Sequence, residues 1–372
     1  MKLFERYFAF AVTLLVSLSA IGQYERGFLF GHNDAMLYGR FWSDSEKGRA
    51  GKSSREIKPD VYQVCGAYPA LYSTDLGGYE QQGRTIYFLG VSYVTMRETI
   101  IRHHRSGGAV TISWHVRNPE HALTYIYKEA NHGTVARILQ RNGKTYKTFM
   151  SYLDRIADFL LSLRDDDGNL IPILFRPWHE CSGDWFWWGT ADCTAEEYIE
   201  LWRMTHNYLQ ERGLTNLRYV FSPGSWFRNE AEYMLRFPGR EYVDIIGIEN
   251  YRPKNMSVDD ARRYFHTNMQ KGLRLVKCIA DSLGLPYAVT ETGMQPDNDP
   301  QWWTLGLMPA LEGYFPMYVN VWSNQCHELY PEAATWCTYP GEASARDFRK
   351  FYKMNKTAFI KKLKGTKKHY ER

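Results

Sequence analysis

Neither sign of charge prevails in this chain. Lys and Arg number 46 against 41 Asp and Glu, a formal net charge of +5 over 372 residues, which argues against a surface built to hold nucleic acid. The lysines from Lys361 to Lys368 read as a solvated end rather than a binding patch. Metal-ligand pairs are missing too: there is no HExxH or comparable motif, and the six cysteines (Cys65, Cys181, Cys193, Cys278, Cys326, Cys337) follow no zinc spacing. No glycine-rich dinucleotide loop follows the first apolar run. No cofactor and no metal are expected.

Long apolar runs are scarce. Phe8 to Val16 is shorter than the roughly 20 residues of a membrane span. With Lys2 and Arg6 before it and Ala20 and Gly22 after it, it reads as an export signal, residues 1–22, cleaved after Gly22. The residue directly after that point is Gln23, not cysteine, so a lipid anchor is not indicated, and the expected location is the periplasm or the extracellular space. An oxidising compartment permits disulfides, and Cys181 with Cys193 could staple the loop between them, although spacing does not establish the pairing. Internal repeats, low-complexity tracts and Pro/Ser-rich linkers are absent, so residues 23–372 read as one domain.

Aromatic residues, by contrast, are plentiful. Phe, Trp and Tyr make up 16% of the chain, with 12 Trp and 27 Tyr, and such rings suit ligands with flat C–H faces, sugars above all. They concentrate in the stretch around which the chain is organised, IPILFRPWHECSGDWFWWG, Ile171 to Gly189. Ile171 to Phe175 has the length of a strand buried on both faces. Arg176, Trp178, His179 and Glu180 crowd its carboxyl end, and Trp185, Phe186, Trp187 and Trp188 follow in the next loop. A carboxyl group among rings and an imidazole has the ingredients of a general acid, since partial desolvation favours a protonated carboxyl. Trp187 and Trp188 suit the core as well as a platform.

Seven further runs repeat the pattern of an apolar strand ending in polar residues: Gly27 to Phe30, Val61 to Ala67, Ala109 to Trp114, Leu217 to Phe221, Val243 to Ile248, Tyr287 to Val289 and Met317 to Trp322. Helical spacing falls between them at Thr95 to Arg105, Thr148 to Leu163, Ala195 to Glu211 and Val258 to Leu283, and after the last at Ala345 to Leu363. Strand and crossover helix in alternation mean a parallel sheet, and eight units with polar carboxyl ends predict a single (β/α)8 TIM barrel. A doubly wound open sheet is the alternative.

Glycosidic hydrolysis needs two carboxylates flanking the scissile bond. Beside Glu180, the second candidate is Glu291, which ends the seventh strand in PYAVTETGMQ. Carboxylates on strands four and seven would face each other across the barrel mouth, suiting a separation of about 5 Å and a retaining double displacement. Tyr251 can donate its hydroxyl to Glu291, His115 and His179 can donate to sugar hydroxyls, and Trp185 and Trp322 offer stacking faces.

These residues resemble glycoside hydrolase family 26. FRPWHECSGDWFWWG is similar to that family's acid/base signature. GHNDAMLYG, YPALYSTDLGG, VTISWHVRNP, DIIGIENYRP, AVTETG and YVNVWSN fall in the family's order across most of the mature chain. The resemblance implies a (β/α)8 barrel and a retaining mechanism with Glu180 as acid/base and Glu291 as nucleophile. It places His115, His179, Trp185, Tyr251 and Trp322 around the central sugar. It also implies a secreted hydrolase of β-1,4-mannan or manno-oligosaccharides, either endo-acting or releasing mannobiose from chain ends. Family mannanases often carry an arginine after the eighth-strand tryptophan, where this chain has Ser323, and Cys181 and Ser182 stand where a larger polar pair is common. The alternatives are a xylanase or mixed-linkage glucanase of the same family, a non-catalytic glycan-binding protein, and a metal-dependent hydrolase.

Overall fold

Alternation along the strands decides what this chain turns inward. The computed structural model describes residues 27–43, 58–87, 90–127, 132–294, 299–326, 334–354 and 359–361. The expected signal and nearly all of the lysine-rich end lie outside them. Eight parallel strands, β1 (Leu29–Asn33), β2 (Leu71–Asp75), β3 (Ala109–Trp114), β4 (Ile173–Pro177), β5 (Leu217–Phe221), β6 (Ile245–Tyr251), β7 (Tyr287–Gly293) and β8 (Tyr318–Val321), close into a barrel. Each pairs with its neighbours in sequence, and β8 returns to β1. The (β/α)8 expectation holds.

Inward positions change character from floor to mouth. Leu29, Leu71, Leu174, Val220, Ile245, Ala288 and Tyr318 fill the floor as an apolar cluster. Further along most strands the inward side chains turn polar, and some bond to one another: Asn320 Nδ2 donates to Ser73 Oγ at 3.2 Å, and Ser73 Oγ to Asn33 Oδ1 at 2.8 Å. Outward side chains such as Phe30, Ile112, Phe175, Phe221 and Val319 join the larger core beneath the helices. The floor supplies burial, and the polar upper layers are free to carry chemistry.

The helices that matter to the site are α1 (Tyr93–Arg105), α2 (Gly143–Leu161), α3 (Ala195–Glu211), α4 (Val258–Leu283) and α5 (Ala345–Met354). Thr194 starts α3 with a capping box shared with Glu197, and Tyr198, Leu201, Trp202, Thr205 and Leu209 bury its stripe. That stripe grips the active-site strand end. Tyr198 donates to the carbonyl of Trp178 at 2.7 Å, and Trp178 Nε1 donates to Thr205 at 3.2 Å.

One expected strand is a helix. Val61 to Ala67 folds as a short helix, Asp60–Cys65, because Val61 and Val64 share one buried face and Gly66 closes it in the left-handed region. The second strand is LYSTD instead, Leu71–Asp75, fully buried despite three polar residues. The last helix is described over Ala345–Met354 and does not reach the end of its pattern at Leu363, because Phe359–Ile360 is a strand that pairs antiparallel with Tyr68–Pro69. All six cysteines are free thiols, so no staple links Cys181 to Cys193. Hydrogen bonds tie the aromatic loop: Thr190 N to Gly183 O at 2.8 Å and Trp188 Nε1 to His179 O at 2.8 Å.

β7 carries the irregularity on which the site depends. Its register against β6 shifts between Val289, opposite Ile248, and Glu291, opposite Glu249. One extra residue is thereby accommodated, and Glu291 turns into the barrel instead of out toward the helices. Thr290, at the shift, is given room by Gly247, which pairs with Ala288 just before it. A Cβ on Gly247 would stand 2.4 Å from Thr290 Cγ2.

Candidate active site

β4 ends in two residues of uncommon backbone. Trp178 and Glu180 have φ of 52° and 53°, a region that L side chains enter at a cost of roughly 1–2 kcal/mol each. Neighbouring elements hold the turn: Glu180 N donates to Ser222 O at 2.8 Å, and Ser182 N to Pro223 O at 3.0 Å. Glu180 is thereby lifted, half-buried, into the mouth. Trp185, 41% exposed, donates its indole N–H to Glu180 Oε2 at 2.7 Å.

Glu291 rises from the β7 bulge to meet it. Its Oε2 accepts the Tyr251 hydroxyl at 2.6 Å, and its Oε1 accepts Arg176 Nη2. A third carboxylate completes the group. Glu249, on β6 and fully buried, accepts Arg176 Nη1 at 2.9 Å and Ser222 Oγ at 2.6 Å. One oxygen from each of Glu180, Glu249 and Glu291 lies within 4.8 Å of the other two.

One buried guanidinium cannot neutralise so many carboxylates. Burial first, then the charges of Glu180 and Glu291, push Glu249 well above the usual carboxylate range. Burial also raises Glu291, but Arg176 and the Tyr251 hydroxyl oppose it by favouring the anion. Glu249 Oε2 is enclosed without a hydrogen-bond donor, so Glu249 is the member suited to hold a proton. A neutral Glu249 leaves the charge of Arg176 to Glu291. The same guanidinium supplies the positive charge that a cation would otherwise bring to this cluster.

Histidines line the other wall. Asp75, at the end of β2, accepts from Gly77 N at 2.6 Å, Ser113 Oγ at 2.7 Å and His115 Nδ1 at 2.8 Å. His115 Nε2 lies 3.1 Å from His179 Nε2. Burial opposes both charges of the Asp75–His115 pair. Their mutual attraction nevertheless holds Asp75 at about 2 and raises His115 above its ordinary value. His179 is pushed well below that value by burial, then by Arg176 and His115. With the charged form of His115 favoured and that of His179 disfavoured, His115 donates from Nδ1 to Asp75 and from Nε2 to His179. His179 is 1% exposed and is held behind His115, away from the open cleft. Trp322, just past β8, sets its ring 6.0 Å from that of His115. Ser323 is buried, its Oγ 3.5 Å from the Tyr38 hydroxyl.

The pair makes stability depend on pH in a set direction. Asp75 titrates in the fold below its unfolded value of about 4, so its contribution is present above that value and is lost as pH falls toward 2. His115 titrates above its unfolded value of about 6.5, so its contribution is complete below that and is lost as pH rises through the raised value. Asp75→Asn is expected to cost about 1.5–3 kcal/mol between about pH 4 and 6.5. Thermal melts of both proteins should show the gap narrowing on the alkaline side; a gap that stays constant to pH 9 would refute the charged pairing.

The sequence-derived candidates Glu180, Glu291, His115, Trp185, Tyr251 and Trp322 thus surround one cleft, with His179 behind it. Trp187 and Trp188 are core, both fully buried. Glu249, Arg176 and Asp75 were passed over as site residues. The signal for Glu249 was an acidic residue inside the apolar run DIIGIENY.

Known proteins resemble this chain in sequence and in fold. The sequence profile of Glycosyl hydrolase family 26 matches residues 28–290. A mannan endo-1,4-beta-mannosidase of Bifidobacterium adolescentis is 32% identical over 331 residues, covering 83% of this chain and 32% of its own length. This chain therefore spans about a third of that relative. A mannan endo-1,4-beta-mannosidase of Bacillus subtilis is 26% identical over 71% of this chain and 69% of its own. A solved GH26 beta-mannanase from Bacteroides ovatus superposes with a TM-score of 0.81 at 36% identity, over 95% of this chain and 98% of the other. The chain belongs to glycosyl hydrolase family 26.

Proposed function

We propose that the protein is an exported, retaining glycoside hydrolase that cleaves β-1,4-mannosidic bonds in mannans and manno-oligosaccharides. The observation that carries the chemistry is the approach of Glu180 and Glu291 to within 4.8 Å. Retaining enzymes hold their carboxyl groups about 5–5.5 Å apart, whereas inverting enzymes leave about 6.5–9.5 Å for a water. Glu291 attacks the anomeric carbon while Glu180 gives its proton to the departing oxygen. Glu180 then takes a proton from the water that displaces Glu291 and frees the sugar.

Surrounding groups serve these two steps. Arg176 and Tyr251 hold the two oxygens of Glu291 and favour its anion, and Trp185 fixes Glu180 against the leaving group. His115, its charged form favoured by Asp75, sets its ring between those of Trp322 and Phe186 as part of the cleft wall. Mannan as substrate rests on the names of the relatives. Export rests on the signal-like residues 1–22, and a mature N terminus at Gln23 tests it.

A time course on unbranched mannan, beside xylan and mixed-linkage glucan, tests the reading. Sugar release from mannan above the other polymers is expected, undiminished in chelator. Mixed oligosaccharides with a rapid fall in viscosity would mark internal attack; mannobiose as sole early product would mark attack at chain ends. Preference for xylan or glucan, or tight binding without products, would overturn the assignment.

A further inference from the structure

The cleft above accounts for the sugars at the scissile bond and leaves one aromatic surface on the same face without a task. Trp226, in the loop after β5, is 61% exposed and has φ of 72°. A bulky residue at positive φ is an outlier that persists only where its surroundings enforce it, and such residues gather at functional sites. Folding alone would favour glycine here, or a buried ring. Instead the indole stands in solvent, its centroid 5.6 Å from the ring of Tyr264 on α4, with 50° between the planes. Tyr264 is exposed as well. A pocket beside Trp226 is lined also by Phe227, Asn268 and Lys271, and Asn268 Nδ2 donates to the Tyr264 carbonyl at 2.9 Å, which leaves its Oδ1 as the acceptor.

Position gives the pair its direction. The Trp226 loop runs flush against the general-acid turn: Ser182 Oγ donates to Pro223 O at 2.6 Å, and a Cβ on Gly224 would lie 3.7 Å from Glu180 Cα. Two residues after that contact comes Trp226, on the rim that borders the acid. A surface beside the group that protonates the leaving oxygen faces the leaving part of the chain. We propose that Trp226 and Tyr264 form a stacking platform for a pyranose of the polymer on the leaving-group side, beyond the sugar directly attached to the scissile bond. The ring faces meet the sugar's C–H face, and Asn268 and Lys271 are placed to bond its hydroxyls. This inference rests on the role proposed for Glu180.

Trp226→Gly suits the test, because glycine accepts the backbone conformation while removing the ring. Trp226→Phe keeps a face. Each is compared with the unaltered protein on mannan, on a six-sugar manno-oligosaccharide, and on an aryl mannobioside whose leaving group is one ring. With Trp226→Gly, kcat/KM on both long substrates should fall about ten-fold, mostly through KM. The aryl mannobioside should change less than about two-fold, and Trp226→Phe should restore most of the loss. Equal losses on long and short substrates, or no loss on either, would overturn the platform. If the unaltered protein leaves mannan uncut yet cleaves another polymer, the substrate reading falls. The platform is then judged by the same contrast between long and short forms of that polymer.

Discussion

Glu291→Ala is expected to lower kcat/KM on mannan by about 10⁴-fold or more, since loss of an attacking group removes the intermediate itself rather than one interaction with it. The loss should be as large on substrates with excellent leaving groups, because bond formation to the anomeric carbon is what fails. Folding should survive: the variant leaves Arg176 Nη1 paired with Glu249 and frees Arg176 Nη2 and the Tyr251 hydroxyl, both at the cleft. Steady-state rates on mannan and on a dinitrophenyl mannobioside provide the check. A variant that keeps a tenth of its activity would remove Glu291 from the mechanism.

Glu180→Ala should behave differently, and the difference assigns the roles. Loss of a general acid costs about 10²–10⁴-fold where the leaving group needs a proton. On mannan the full loss is expected. On the dinitrophenyl substrate, whose phenolate leaves unaided, the first step should survive and the glycosyl-enzyme accumulate, because no base remains to activate water. Azide needs no such base, so it should restore turnover and yield a β-configured mannosyl azide. Equal losses on both substrates with no rescue would contradict the assignment.

How much of this could be read from the chain depends on whether local pattern or strand register controls the feature. The strands Ala109–Trp114 and Leu217–Phe221 and the helices Ala195–Glu211 and Val258–Leu283 have the bounds expected from pattern alone, because local periodicity and capping coincide there. Leu71–Asp75 was missed because its inward residues are polar: Ser73 and Asp75 face the upper barrel, so the strand shows no apolar run. With that strand misplaced, the Asp75–His115 pair had no visible basis. The offset that turns Glu291 inward is a different case. Thr290 at the shift takes the room over Gly247, contributed from another strand, and no spacing within AVTETG reveals it. Glu180 and Trp185 were legible together because a short turn brings residues five apart into contact.

The β7 bulge is also where sequence and chemistry connect most tightly. Without the extra residue, Glu291 would point toward the helix layer and Glu249 alone would meet Glu180 across the mouth. With it, Glu249 and Glu291, both buried, share Arg176; Glu249 is the one suited to hold a proton, and Glu291 stands opposite the half-buried Glu180. Removing the positive charge would leave buried carboxylates unpaired, which typically costs about 3–5 kcal/mol.

The separation of Glu180 from Glu291 is tested most directly by the configuration of the first product. Proton NMR of a reaction with manno-oligosaccharide, recorded before mutarotation, should show the new reducing end appear as the β-anomer, with the α-anomer growing in later. An α-anomer formed first would mean direct attack by water, which the 4.8 Å approach of the two carboxylates does not accommodate, and the account would be wrong.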